Sequence, residues 1–145
     1  MGIAAFICAA LVLATTLLHY EYLRALSTVL PRLQTSGRGR VLVGILGVFV
    51  AHSTEIVLYG AAYYYLRDRF GLGNFSGHFA DTLPTFLYFS AETYTSLGFG
   101  DIVPVGPLRI VCGIEALNGL LLIGWSASFT YVFMEHFWQI GNNSA

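Results

Sequence analysis

Three apolar segments are long enough to cross a membrane, and a fourth, between the second and third, is too short. This pattern limits what the chain can fold into. A spanning helix needs about 20 mainly apolar residues, whereas runs of about 10–14 read as re-entrant or buried. The long segments cover residues 3–30, 41–66 and 108–138, and the short one covers residues 83–94. Pro31 closes the first, because proline lacks the helical N–H and clashes with the preceding turn. Residues 31–40 form a polar connector with Gly37, Gly39 and three arginines, and residues 67–80 are polar and glycine-rich, a surface loop by composition. The short segment has Asp81 or Thr82 as its N-cap and Pro84 in its first turn. Tyr63, Tyr64 and Tyr65 suit an aromatic belt at a membrane interface. Only 10% of the residues are charged, against about 25% in soluble domains, so the fold class is an all-α membrane protein formed as one domain, residues 1–145. The net charge of -1 offers nothing to a nucleic acid. Cys8 and Cys112 sit in apolar runs and read as small buried hydrophobes, not a disulfide. The N-terminus has no basic stretch and its apolar run is long, so no cleavable signal peptide is expected.

The second constraint lies after the short segment. Thr95, Ser96, Leu97, Gly98, Phe99, Gly100 and Asp101 place two glycines around one aromatic, with hydroxyls before and an acid after. Glycine takes positive φ readily. Glycines at alternate positions let successive backbone carbonyls turn to one side, where a row of them can replace the water shell of a cation.

This segment resembles the TVGYG filter of potassium channels, and residues 86–104 look like the pore helix, filter and outer mouth of the potassium-channel pore-domain family. The resemblance extends in architecture from the outer helix (41–66) through the pore helix and filter (82–101) to the inner helix (108–138); residues 3–30 would be one additional transmembrane helix. It implies three transmembrane helices plus a re-entrant pore helix and filter loop, assembled as a homotetramer in the lipid bilayer. The implied activity is passive conduction of K⁺, with no enzyme chemistry, no cofactor and no metal beyond the filter cations. Cations would be held by Ser96, Leu97, Gly98, Phe99 and Gly100, supported by Glu92, Thr95, Asp101, Tyr88 and Phe89. In some relatives a carboxylate pair equivalent to Glu92 and Asp101 shares a proton; the alternative is two acids held separately. Ser96, Leu97 and Phe99 depart from the commoner threonine, valine and tyrosine, and Tyr88 and Phe89 from paired tryptophans. These departures keep open a second reading, a non-selective monovalent cation channel. Arginines are nearly balanced on the two sides, so orientation follows from the resemblance: connector and C-terminus cytoplasmic, N-terminus outside, in the cell membrane.

Ionisable groups inside apolar segments are costly and are functional candidates. His19, Glu21, His52, Glu55 and Glu115 are of this kind. His52 and Glu55 share a helix face at i, i+3. An antiparallel pairing of the first two helices puts His19 level with them. The cluster reads as a polar tie between helices, a proton sensor or a metal site. A metal-binding membrane enzyme is the rival from another class. Gly119 falls near the family's hinge glycine but could equally be a packing contact. Gly119, Glu115, Asn118, His19, His52 and Glu55 are the candidate gating residues.

Overall fold

The computed structural model describes residues 2–67 and 69–142, the last seven of these as backbone. Four helices carry the structure: α1 (Gly2–Val29), α2 (Gly37–Leu66), α3 (Leu83–Tyr94) and α4 (Leu108–Asn142). A single 3-10 turn, Leu30–Arg32, follows α1, and two short strands, β1 (Asn74–Gly77) and β2 (Ile102–Val105), flank α3. Three of the helices are long and apolar enough to cross a membrane. At 12 residues and about 1.5 Å per residue, α3 spans only part of the hydrocarbon.

α1 and α2 are joined by a connector shorter than the composition implies. Ser36 caps α2 by accepting a hydrogen bond from the Gly39 amide at 3.3 Å, so the helix starts at Gly37 and not at 41. The Arg40 guanidinium donates to the Leu33 carbonyl at 3.1 and 3.2 Å and holds the turn. α4 packs against α1, α2 and α3, and α3 lies against α2 and α4.

The stretch read as a surface loop is only partly one. Asn74 to Gly77 pair antiparallel with Val105 to Ile102. Leu72 and Phe75 are buried, and the Phe75 ring meets Tyr63, Phe86 and Phe89 edge-on at 5.7, 5.2 and 4.9 Å. Four-residue strands separated by a whole helix give no local alternation to read, and Pro104 obscures the second, although an edge strand tolerates proline. Arg67 is buried as well; it pairs with Asp81 and lies 4.6 Å above the Phe86 ring. Asp81 therefore serves an ion pair, while Thr82 occupies the N-cap position and its hydroxyl contacts Thr85 at 3.0 Å without capping the helix. Tyr63 also leaves the expected belt: it is 2% exposed and bonded inside the bundle, whereas Tyr65 faces outward. Cys8 and Cys112 are free and buried.

Close packing of α3 depends on small residues. A Cβ on Gly119 of α4 would come within 2.2 Å of the Tyr94 carbonyl oxygen, and one on Gly60 of α2 within 2.9 Å of that of Phe86. Both contacts are with backbone, which cannot swing away. Gly119 is thus where the long helix meets the end of the half-helix. Gly119→Ala is expected to lower stability by about 1–3 kcal/mol, the usual cost of overpacking, read as a lower thermal midpoint in detergent. A midpoint equal to wild type would contradict this close approach.

Candidate functional site

The glycine loop leaves the C-terminal end of α3 and changes handedness residue by residue. Ser96, Gly98 and Gly100 have φ of 58°, 55° and 81°, while Leu97 and Phe99 between them do not enter the positive region. Left-handed backbone costs a side-chain-bearing residue roughly 1–2 kcal/mol, so glycine suits two of these sites and Ser96 bears the strain at the third. The N–H groups of Thr95 to Phe99 turn inward. Those of Thr95 and Ser96 reach the Ala91 and Thr93 carbonyls at 3.2 and 3.0 Å; those of Leu97 and Gly98 share the Glu92 carbonyl at 2.8 and 3.3 Å. The Phe99 amide donates to Glu92 Oε2 at 3.1 Å. Among the described residues, no donor reaches the carbonyls of Ser96, Leu97, Gly98 or Phe99. The loop residues, including Leu97 (60%) and Phe99 (66%), are exposed on the single chain. The partial negative charge at the C-terminal end of α3 faces this segment.

The residues expected to support the loop take different parts. Glu92 is buried and braces the loop from behind through Phe99. Asp101 accepts from the Tyr88 hydroxyl at 3.1 Å, and the Tyr88 and Phe99 rings are parallel, 6.4 Å apart. Among the described residues no hydrogen bond joins Glu92 to Asp101, so the two acids are held separately. Phe89 belongs to the aromatic core and also lines the cavity beside Glu92, Ser96, Gly98 and Gly100. The Thr95 hydroxyl turns back to the Ala91 carbonyl at 2.7 Å.

Behind the loop, polar groups from every helix converge. His19 Nδ1 lies 2.8 Å from Glu55 Oε1, and His52 Nδ1 lies 3.1 Å from Oε2. The Tyr94 hydroxyl donates to Glu55 and stands 2.9 Å from His52 Nδ1. His19 Nε2 is held by Ser126 of α4 at 3.1 Å. Thus the antiparallel level argument places His19, His52 and Glu55 together, and the fold adds Tyr94 and Ser126. Tyr94 closes α3, one residue before the loop, and nothing in its sequence neighbourhood marks it as a partner of Glu55.

Two further networks complete the interior. Glu115 accepts from Tyr63 at 2.5 Å and from Ser90 at 2.6 Å, tying α4 to α2 and α3. Asn118 donates to Thr15 at 2.8 Å and to Tyr59 at 3.3 Å, tying α4 to α1 and α2. Every buried side-chain nitrogen and oxygen among the described residues has a partner. Glu21 stands apart: it is exposed and paired with Arg24 at 3.2 Å, a contact worth about 0–1 kcal/mol.

Two outcomes follow. Glu115→Ala strands the buried Tyr63 hydroxyl, at about 1–3 kcal/mol for an unmet group, while Ser90 keeps the Ile56 carbonyl at 2.9 Å; Glu115→Gln keeps one acceptor and should lose less, measured by chemical denaturation in detergent. Equal losses in the two variants would show that the acceptor is not what matters. At Glu92, burial and then the Asp101 charge raise the carboxyl above its ordinary 4.5. A raised value favours the protonated form in the folded chain, so that contribution is full below the unfolded value and lost as pH climbs through the raised one. The thermal midpoint of wild type, relative to Glu92→Gln, should therefore fall as pH increases above 4.5; a pH-independent difference would contradict it.

A family model described as an ion channel matches residues 51–136, more than half of the chain, with the whole of the half-helix and glycine loop and the long helix as far as residue 136. No curated protein and no solved structure gives a significant match. The chain belongs to this ion-channel family, a multi-pass membrane protein with the pore-domain order of outer helix, half-helix, glycine loop and inner helix.

Proposed function

We propose that four copies of this chain surround a common axis and conduct K⁺ passively, with residues 96–100 as the selectivity filter. One observation carries the reading: the loop commits its N–H groups to α3 and Glu92, while the carbonyls of Ser96, Leu97, Gly98 and Phe99 have no donor. Carbonyls so arranged are ligands for a cation that has shed its water. One chain supplies one row and cannot enclose an ion, and a closed cyclic oligomer supplies the rest. Leu97 and Phe99, exposed on the single chain, are then covered by neighbouring copies. Glu92 fixes the back of the filter, and Tyr88 with Asp101 fixes its mouth. The N-terminus lies outside and the C-terminus in the cytoplasm of the cell membrane, so that the filter opens outward. With Gly119 filled by the Tyr94 carbonyl, gating rests on the filter and on the buried His19, His52, Glu55, Glu115 and Asn118 ties.

Purified protein in liposomes should pass K⁺ and be blocked by Ba²⁺, with a bi-ionic K⁺/Na⁺ reversal potential well away from zero. Gly100→Ala, placing a side chain at φ 81°, should abolish the flux while leaving the oligomer intact. A reversal potential near zero would replace this reading by the non-selective one, to which the missing hydroxyl of Phe99 lends support. Absence of any cation flux across several pH values and voltages would overturn both.

A further inference from the structure

We infer that His19, His52, Glu55 and Tyr94 form a binding site for a divalent first-row transition cation of the zinc class, separate from the filter. The ligand atoms of His19, His52 and Glu55 all lie within 4.8 Å of one another. Metal–ligand bonds of about 2.0–2.2 Å in a tetrahedral site put neighbouring ligand atoms roughly 3.3 Å apart. Contacts of 2.8–3.1 Å within the cluster lie just below that spacing and all its ligand atoms within 4.8 Å, so modest side-chain shifts in both directions reach that geometry. Two imidazoles, a carboxylate and a phenol are a donor set that suits zinc and its neighbours and is poor for K⁺, Mg²⁺ or Ca²⁺.

Three features beyond proximity point the same way. Both histidines turn Nδ1, and not Nε2, toward the same carboxylate. The other nitrogen of His19 is held by Ser126 at 3.1 Å, the outer contact that orients a ligating imidazole. Third, Glu55 is fully buried inside the membrane-spanning bundle, where an ionisable group is costly and marks a functional site. This assignment revises the expectation that the filter holds the chain's only metal ions. The bound ion would fasten the additional helix α1 to α2 and to the last residue of the half-helix.

The test uses the full-length oligomer in detergent, stripped with chelator and titrated with Co²⁺, whose visible d–d bands report tetrahedral coordination, and then with Zn²⁺ as competitor. One Co²⁺ per chain is expected, with intense d–d bands displaced by Zn²⁺. His19→Gln and His52→Gln should lose the bands, His78→Ala should keep them, and Ser126→Ala should weaken binding about 10–100-fold. Each variant is first checked for wild-type elution. Absence of stoichiometric, Zn²⁺-displaceable d–d bands in the wild-type oligomer overturns the site, whether or not any variant folds. So does a spectrum that persists in folded His19→Gln, or an unchanged affinity in Ser126→Ala. The readout is independent of conduction, so failure here leaves the channel reading intact, and failure of K⁺ flux leaves this site intact.

Discussion

A half-helix that ends inside a membrane must have its last turn satisfied by protein, because the hydrocarbon offers no hydrogen bonds. The rest of this structure depends on how α3 meets that requirement. Its final residue, Tyr94, is fixed at both ends: the carbonyl packs against Gly119 of α4, and the hydroxyl bonds to Glu55 of α2. Its flank is held by Ser90 on Glu115. The loop that follows spends its amides on the same turn. Interhelical hydrogen bonds in membranes average only about 0.6 kcal/mol, so no single tie holds the half-helix. Its position results from several such ties together with two backbone contacts that allow no side chain.

The orientation of the loop follows from that anchoring. Once the amides of Thr95 to Phe99 are drawn toward α3 and Glu92, the carbonyls of Ser96 to Phe99 are left without donors among the described residues. The donors' commitment and the acceptors' freedom are two sides of one arrangement. The same economy explains the separate fates of Glu92 and Asp101. Glu92 is needed behind the loop as an acceptor for Phe99, and Asp101 is drawn off by Tyr88 at the mouth.

Much of this was legible in the chain. Segment lengths gave the spanning helices and the short one between them, and the spacing of His52 and Glu55, with the antiparallel level of His19, gave the cluster. Those signals are local or follow from helix geometry. The strand pair 74–77 with 102–105 was not legible, because its pairing crosses a helix and neither partner alternates. Nor was the burial of Tyr63 and Arg67, which depends on Glu115, Asp81 and Phe86 arriving from elsewhere. Gly119 reads from sequence as hinge or contact alike, and the close approach of the Tyr94 carbonyl comes only with the fold.

By itself, the sequence determined the class of the chain, the order of its helices and the place of the glycine loop, since hydrophobic length and glycine's access to positive φ act over a few residues. Only the tertiary structure decided which polar group meets which. A buried carboxylate in a membrane must find donors, and which ones it finds depends on the helices packed around it. Glu55 met two histidines and a tyrosine, Glu115 met a tyrosine and a serine, and Glu92 met a backbone amide.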